Sequence, residues 1–295
     1  MVTSAGNKDW LVAQGRRLDL SRGRLMAIVN VTPDSFSDGG QHFATGEAVA
    51  HGLRCVEEGA DILDIGGEST RPGASVVSAP EEQDRVLPVI ERLARESEAL
   101  ISVDTYRAET ARLAIAAGAH IINDVYGLQK EPEIAAVAAD TRAGLCIMHT
   151  GRGREKLADV IADQFAYLNR SLDIAAAAGV ERGTIMLDPG FGFAKETEAE
   201  NLELMARFEE LHVLGLPILA GTSRKRFLGT LTGRDAAERD AATAATTVLL
   251  RVKGAVVFRV HNVAINRDML AVADAMLEAE KRAGAGRFRS DKGER

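Results

Sequence analysis

Residues 59–67 read Gly-Ala-Asp-Ile-Leu-Asp-Ile-Gly-Gly, and similar segments recur along the chain. Residues 118–124 read Gly-Ala-His-Ile-Ile-Asn-Asp, and residues 254–261 read Gly-Ala-Val-Val-Phe-Arg-Val-His. Two further copies begin at Gly144 and Gly215 and close on His149 and Ser223. In each copy the glycine suits the left-handed residue that ends a helix, and the apolar run suits a strand buried on both faces. The repeat therefore predicts helices that alternate with buried parallel strands.

These apolar runs predict about eight strands. We place them at residues 25–32, 62–66, 100–104, 120–124, 145–149, 185–188, 218–222 and 256–261. Amphipathic stretches rich in Ala, Glu and Arg lie between them and are typical of helices. Because about eight strand–helix units close a barrel, we predict an α/β fold, a single (β/α)8 TIM barrel. The alternative is a doubly wound open sheet, but no G-x-G-x-x-G motif follows the first strand.

The chain of 295 residues fits one large domain, since such barrels are commonly about 250 residues long. We expect the barrel to span residues 25–281. Residues 1–24 are expected to form an N-terminal extension or a small hairpin, because Leu18 and Leu20 alternate with polar neighbours. Residues 282–295, rich in Gly, Arg, Ser and Lys, are expected to form a disordered tail.

The composition, 46% hydrophobic and 27% charged, is that of an ordinary soluble globular protein. Residues 1–7 lack the apolar core of a signal peptide, so we expect a cytoplasmic location and no membrane partner. A net charge of −7 disfavours nucleic acid as the partner, because phosphate backbones require a basic face. The chain has only two cysteines, Cys55 and Cys146, which argues against a disulfide framework or a cysteine zinc site.

Polar side chains stand at the predicted carboxyl end of nearly every strand, where barrel enzymes carry their active sites. Single members of the set have structural explanations: Asp104 could cap the next helix, and Asp188, before Pro189, could form a turn. A scaffold without a site would have no reason to repeat this pattern on so many strands. The set comprises Asn30, Gly66-Gly67-Glu68, Asp104, Asn123, His149, Asp188, Ser223 with Lys225, and Arg259 with His261.

Longer motifs in the chain resemble those of the dihydropteroate synthases. Residues 26–40 (MAIVNVTPDSFSDGG) are similar to the first signature of that family, and residues 64–73 (DIGGESTRPG) are similar to the second. Shorter matches follow in family order at 101–105, 121–124, 187–193 and 222–225. The resemblance implies a transferase of folate biosynthesis. It would condense 6-hydroxymethyl-7,8-dihydropterin pyrophosphate with 4-aminobenzoate to give 7,8-dihydropteroate and pyrophosphate.

The resemblance also implies which side chains bind the pterin. Carboxylates can accept from the donor edge of the ring, and an Asn amide can both donate and accept. The implied catalytic residues are Asp104, Asp188 and Lys225, since the two anions can stabilise the cationic pterin methylene that remains when pyrophosphate leaves. The implied pterin pocket consists of Asp104, Asn123, Met148, Asp188 and Lys225, where Met148 could equally be a core residue.

The other two implied subsites take anions and an aromatic ring. Arginine is suited to bidentate phosphate contacts, and Mg²⁺ is the implied cofactor, with Asn30 and Asp38 as oxygen donors. Asp38 could instead be a solvated loop residue. The implied pyrophosphate residues are Asn30, Arg259 and His261. The implied 4-aminobenzoate residues are Phe36, Thr70, Arg71, Pro72, Phe193 and Ser223. The implied partners are these small-molecule substrates and a second copy of the chain, in a homodimer formed through outer helices.

The chain departs from the family pattern in two places. Many members read Arg-Val-His-Asp where this chain has Asn262 after His261, and residues 150–154 are more basic than the Met-Gln-Gly stretch common elsewhere.

Two other functions would also use a pterin pocket. A pterin-dependent methyltransferase shares the pterin pocket but needs neither the Ser-Thr-Arg-Pro-Gly loop nor the Ser-Arg-Lys motif, and both are present. A non-catalytic pterin-binding paralogue would be separated by complementation of a folate auxotroph.

Overall fold

Eight strands of the described residues form one parallel sheet that closes on itself. The computed structural model describes residues 9–31, 40–69, 77–195 and 197–290, without the side chains of 40–43 and 284–290. Within these ranges the strands of the sheet are β3 (Arg24–Asn30), β4 (Ile62–Gly66), β5 (Leu100–Asp104), β6 (Ile121–Asp124), β7 (Gly144–Met148), β8 (Ile185–Asp188), β9 (Leu219–Ala220) and β10 (Val257–Val260). Their order in the sheet is β8-β7-β6-β5-β4-β3-β10-β9.

The two end strands of that order meet and close the barrel. Leu187 in β8 forms a parallel bridge with Ile218, and its amide donates to the carbonyl of Pro217 at 3.0 Å. The predicted (β/α)8 barrel is therefore confirmed. The strand predicted at 218–222 is shorter than expected, because only Leu219 and Ala220 pair with β10. The chain then turns at Thr222, whose carbonyl accepts from the amide of Lys225.

Helices follow the strands and cover the outside of the barrel. Several begin at side-chain caps: Asp159 accepts from the amides of Ile161 and Ala162, and Thr197 forms a capping box with Glu200. No helix in the described ranges is long and apolar enough to cross a bilayer. The helices are α1 (Gly40–Glu58), α2 (Ala79–Glu96), α3 (Ala108–Ala116), α4 (Ile134–Thr141), α5 (Val160–Ala177), α6 (Glu198–Ala206), α7 (Arg226–Thr232), α8 (Asp240–Val252) and α9 (Val263–Ser290).

Successive side chains of strand β4 point to opposite faces of the sheet, so its apolar residues belong to two different clusters. Leu63 and Ile65 belong to the large apolar cluster between the sheet and the helices. Ile62 belongs to a second cluster with inward-facing residues of the other strands. Asp64, one step further along the inner face, is fully buried inside the barrel. The inner face is thus apolar at the amino end of the strands and becomes polar towards their carboxyl ends, where a site can form.

A hairpin closes the amino end of the barrel. Strands β1 (Asp9–Leu11) and β2 (Arg17–Asp19) pair antiparallel, in the region where a small hairpin was expected. Trp10 is fully buried in the inner cluster, and its Nε1 donates to the carbonyl of Thr184 at 2.6 Å. The hairpin therefore packs against the apolar inner cluster at the amino end of the barrel. At the other terminus, α9 continues to Ser290, past residue 282 where the tail was predicted to begin.

Candidate active site

The carboxyl ends of the strands surround a cleft of about 300 Å³. Every residue predicted for the pterin pocket lines it, although the residues come from five different strands or the loops after them. Phe193, predicted for the aminobenzoate pocket, and Arg259, predicted for pyrophosphate, line the same cleft. The full lining is Asp104, Asn123, Val125, Met148, Asp188, Phe193, Gly221, Lys225 and Arg259.

Arg259 connects two carboxylates across the cleft floor. Its Nε donates to Oδ2 of Asp64 at 2.6 Å, and its Nη2 donates to Oδ2 of Asp104 at 2.8 Å. The same oxygen of Asp64 accepts from Nδ2 of Asn123 at 3.2 Å. A guanidinium has more N–H donors than these two bonds use, so Arg259 can hold the carboxylates and still meet an anion in the cleft.

Asp64 is the residue that the sequence reasoning missed. It lies within β4 rather than at the strand end, so a search restricted to strand ends passes over it. The available signal was a lone aspartate in a strand that is otherwise apolar and wholly buried. An isolated charge there would be strongly destabilising, so a buried partner such as Arg259 is required. Asp64 therefore orients Arg259 and Asn123 from below the cleft.

Asp188, at the end of β8, and Lys225, after β9, also line the cleft. Oδ1 of Asp188 accepts from the amide of Gly190 at 2.7 Å. Nζ of Lys225 lies 4.2 Å from the centre of the Phe193 ring, and the guanidinium carbon of Arg152 lies 4.6 Å from the same centre. Phe193 is thus positioned by two cations, one of which comes from the unusually basic 150–154 segment.

Burial shifts the pKa values of Asp104, Asp188 and Lys225 in the cleft toward neutrality. Desolvation raises the pKa of Asp104 to about 7, and the neighbouring Arg259 opposes that rise. Desolvation likewise raises the pKa of Asp188, against the Gly190 amide and the charge of Lys225. The pKa of Lys225 falls to about 8 because of burial and of the nearby Arg259. Perturbed groups that converge on one cleft are typical of catalytic sites.

Ser223 and His261 are directly linked at the rim. Oγ of Ser223 lies 2.8 Å from Nδ1 of His261 and accepts from the His261 amide at 3.1 Å. A serine hydroxyl can both donate and accept, so the direction of the bond to Nδ1 depends on which ring nitrogen carries the proton. The predicted aminobenzoate residue Ser223 and the predicted pyrophosphate residue His261 are thus neighbours.

The structure explains the departure at Asn262. Nδ2 of Asn262 donates to Oδ2 of Asp240 at 3.0 Å, and its Oδ1 accepts from the amide of Ile265 at 3.2 Å near the start of α9. Asp240 also forms an ion pair with Arg224 at 2.7 Å. An aspartate at position 262 would place a second carboxylate against Asp240, so the amide suits this environment.

His149 does not line the cleft, although it follows β7 at a strand end. It is 1% exposed, and its Nε2 lies 3.0 Å from Oδ2 of Asp163. Asp163 in turn forms a bidentate ion pair with Arg154, at 2.7 and 2.8 Å. The strand-end criterion therefore selected His149 wrongly as a cleft residue: its ring faces α5 rather than the barrel axis.

Several predicted site residues lie outside the described residues: Phe36, Asp38, Thr70, Arg71 and Pro72. Arg107 contacts the described residues on both sides of the 70–76 segment, since its Nη1 lies 2.8 Å from Glu68 and its Nη2 donates to the carbonyl of Val77 at 2.6 Å. Of the proposed Mg²⁺ donors, only Asn30 at the end of β3 is described. Within the described ranges, no cluster of three or more His, Cys, Asp or Glu side chains could hold a metal ion.

A family model for pterin binding enzymes matches residues 26–261 of the chain. The dihydropteroate synthase of Bacillus subtilis (strain 168) is 46% identical over 253 residues, which is 86% of this chain and 88% of that protein. The chain belongs to the dihydropteroate synthase family. The match runs from within β3 to the residue after β10 and includes every strand that contributes to the cleft.

Solved structures of the dihydropteroate synthase family are similar in three dimensions. The Xanthomonas albilineans enzyme with 4-aminobenzoic acid has a TM-score of 0.85 and 47% identity, covering 90% of this chain and 98% of that one. The same enzyme in complex with 7,8-dihydropteroate gives 0.82 and 45%, with the same coverage. The Yersinia pestis enzyme in a sulfonamide drug complex gives 0.84 and 40%, covering 91% and 99%.

Proposed function

We propose that this chain is a transferase that condenses 6-hydroxymethyl-7,8-dihydropterin pyrophosphate with 4-aminobenzoate, in the folate-forming reaction of its family. The amine nitrogen of aminobenzoate bonds to the pterin methylene carbon while the carbon–oxygen bond to pyrophosphate breaks, and the amine loses a proton. The observation that carries this proposal is the cleft itself. Asp104, Asn123, Asp188 and Lys225 converge there with the donor and acceptor pattern that a pterin edge requires.

The geometry suits a reaction that needs a positioned electrophile more than a strong base. Departure of pyrophosphate leaves positive charge on the pterin methylene, and Asp104 and Asp188 both line the cleft where that charge would develop. Both are buried, so their fields are weakly screened and need no rearrangement during the reaction. Lys225 would hold the acceptor atoms of the ring. Met148, which is buried in the lining, would pack against its face.

The pyrophosphate is proposed to bind to Asn30, Arg259 and His261, which lie at or next to the carboxyl ends of the paired strands β3 and β10. The N–H groups of Arg259 that are not used by Asp64 and Asp104 would donate to its oxygens. Mg²⁺ commonly binds through one or two protein oxygens together with substrate phosphates, so one amide and one carboxylate, Asn30 and Asp38, fit it without a protein cluster. When bound, the ion would neutralise charge on the leaving group.

The 4-aminobenzoate is proposed to lie beside Phe193 and Ser223, with Phe36, Thr70, Arg71 and Pro72 contributed by the two loops outside the described residues. Solved structures of family members with 4-aminobenzoic acid and with a sulfonamide support 4-aminobenzoate as the second substrate. Ser223 lies beside His261, so a ring bound at Ser223 would be next to the leaving group.

Complementation separates this function from its rivals. The gene should restore growth of a folate auxotroph that lacks dihydropteroate synthase, whereas a gene for Asp188→Asn should not, at equal protein level. A methyltransferase or a non-catalytic pterin-binding paralogue would fail to complement. Failure of the wild-type gene, with folded protein present in the cell, would contradict the proposal.

We further propose that the protein is a homodimer through α8 and α9, which pack against each other. Apolar side chains spaced three or four residues apart remain exposed on these helices, including Leu249 (56%) and Val272 (69%). Such a row on a soluble surface is typical of an interface. Leu249→Glu with Val272→Glu should give a monomer by sedimentation, and an unchanged sedimentation coefficient would contradict this interface. A cytoplasmic location stays a prediction from the sequence.

A further inference from the structure

The loop after β8 carries a buried lysine that the proposed reaction does not use. Lys195 is 4% exposed. Its Nζ donates to the carbonyl of Gly190 at 2.9 Å and lies 3.1 Å from Nδ1 of His149. Among the described residues it lines a second cavity, of about 340 Å³, and not the pterin cleft. Because burial of an ammonium group is costly, its retention behind the cleft wall requires a compensating role or partner.

Gly190 connects this lysine to the pterin carboxylate. The Gly190 amide donates to Oδ1 of Asp188 at 2.7 Å, while its carbonyl accepts from Lys195 and from the Phe193 amide at 3.1 Å. Gly190 has a φ of +64°, and a Cβ there would collide with the carbonyl of His149. The backbone path is therefore specific to glycine. The Gly190 amide thus donates to one oxygen of Asp188, and Lys195 donates to the Gly190 carbonyl in the same turn.

The other contact of Lys195 is with His149, whose ring and backbone have hydrogen-bond partners of their own. Burial lowers the pKa of His149 to about 4, so its ring is neutral at physiological pH. Its Nε2 lies 3.0 Å from Oδ2 of Asp163 and 2.9 Å from Nη2 of Arg154, and its Nδ1 can accept from Lys195. Asp163 is held by the bidentate pair with Arg154. In addition, the His149 amide donates to the backbone carbonyl of Asp188 at 2.8 Å.

We propose that Lys195 is a positioning residue for the transfer reaction: it fixes the Gly190 turn so that Asp188 presents its carboxylate to the pterin. Lys195 touches no substrate in this account and acts through Gly190. The cations inside the cleft, Lys225 and Arg259, would be engaged by substrate atoms. The partners of Lys195, the Gly190 carbonyl and His149, are protein atoms that do not line the cleft, so Lys195 can pre-organise Asp188 in the unliganded protein. The inference rests on the proposed function only for its turnover measurement.

The test compares Lys195→Met with Lys156→Met. Methionine keeps much of the stem length and removes the ammonium. Lys156 lines the same second cavity, but its Nζ bonds to the carbonyl of Ala194 and to Glu200, both at 2.6 Å. Calorimetry with 6-hydroxymethyl-7,8-dihydropterin should show Kd raised about tenfold or more by Lys195→Met. The kcat/KM of Lys195→Met for the pterin pyrophosphate should also fall about tenfold or more. Its KM for 4-aminobenzoate should change by less than about threefold. Lys156→Met should stay within about twofold of wild type on each measure.

A second variant separates positioning from general support of the fold. Lys195→Gln keeps an N–H donor for the Gly190 carbonyl, so it should recover part of the pterin affinity. A folded Lys195→Met with wild-type pterin affinity would overturn the proposal, as would equal losses in Lys156→Met. Failure of both Lys195 variants to fold would show a purely structural role and would also overturn it. Wild-type protein that binds the pterin but does not form dihydropteroate would contradict the proposed function alone, because the binding comparison would still stand.

Discussion

Nη2 of Arg259 donates to Oδ2 of Asp104 at 2.8 Å, so a residue expected to bind the leaving group is bonded to one expected to bind the pterin. The bond joins β10 to β5 across the barrel. We therefore expect pterin and pyrophosphate binding to be coupled through this one guanidinium, whose fork geometry would fix the angle between the two subsites. Asp64, which is fully buried, accepts from Nε of the same guanidinium.

Arg259→Lys should lower kcat/KM by about a hundredfold or more, although charge is conserved. An ammonium cannot donate to Asp64, Asp104 and an incoming phosphate in the same fixed plane. Steady-state kinetics with both substrates check this. Lys253→Arg is a suitable control, since Lys253 is a surface residue bonded to Ala206 and Glu209 outside the cleft. Kinetics of Arg259→Lys close to wild type would contradict the role of the fork.

The pH dependence of kcat/KM should be bell-shaped. Burial raises the pKa of Asp104 to about 7, so this carboxyl is protonated below that pH and cannot accept from the pterin, and activity falls on the acid side. Burial and Arg259 lower the pKa of Lys225 to about 8, so charge is lost there as the pH rises and activity falls again. Lys225→Arg should flatten the alkaline limb. An alkaline limb unchanged in that variant would assign it to another group.

Much of the fold was predictable from the sequence for a local reason. The Gly-Ala phrase marks a helix end followed by a buried strand, and strands such as Ile62–Gly66 and Ile185–Asp188 match the predicted bounds. The strand at 218–222 was overestimated because pairing with β10, which the local sequence does not report, sets its length. Element type is thus encoded locally, whereas element length depends on neighbouring strands.

The candidate site was predictable where a side chain ends a strand and faces inward. Asn123 and Asp188 are of this kind. His149 satisfies the same criterion, yet its ring turns outward to Asp163. Asp64 and Lys195 were missed because their roles depend on partners distant in sequence: Arg259 lies 195 residues from Asp64, and His149 lies 46 residues from Lys195. Position along a strand is visible in sequence, but tertiary pairing is not.

The two loops outside the described residues should couple binding of the anion to binding of 4-aminobenzoate. In calorimetry, 4-aminobenzoate should bind weakly or not at all to the protein alone. Mg²⁺ and pyrophosphate, with a pterin analogue present, should strengthen its binding about tenfold or more, roughly 1.4 kcal/mol of coupling. Asp38→Ala should remove most of that gain while pterin affinity stays nearly unchanged. Equal 4-aminobenzoate affinity with and without pyrophosphate would refute this order.

Sulfonamides should inhibit the protein in competition with 4-aminobenzoate. They present an aromatic amine and an acidic group like those of the substrate, and a family member has been solved in a sulfonamide complex. The apparent inhibition constant should rise linearly with 4-aminobenzoate concentration. Inhibition independent of that concentration would argue against a shared pocket at Phe193 and Ser223.

A direct assay of the condensation tests the central claim, with Asp188→Asn as the matched variant. Purified protein is supplied with 6-hydroxymethyl-7,8-dihydropterin pyrophosphate, Mg²⁺ and 4-aminobenzoate, and both dihydropteroate and released pyrophosphate are quantified. Wild type should form the two products in equal amounts. Asp188→Asn should remain folded yet lose activity by about a hundredfold or more, because the amide presents a donor toward a pterin donor and removes an anion from the cleft. Absence of dihydropteroate with the wild-type protein, or near-normal kcat/KM in Asp188→Asn, would contradict the account.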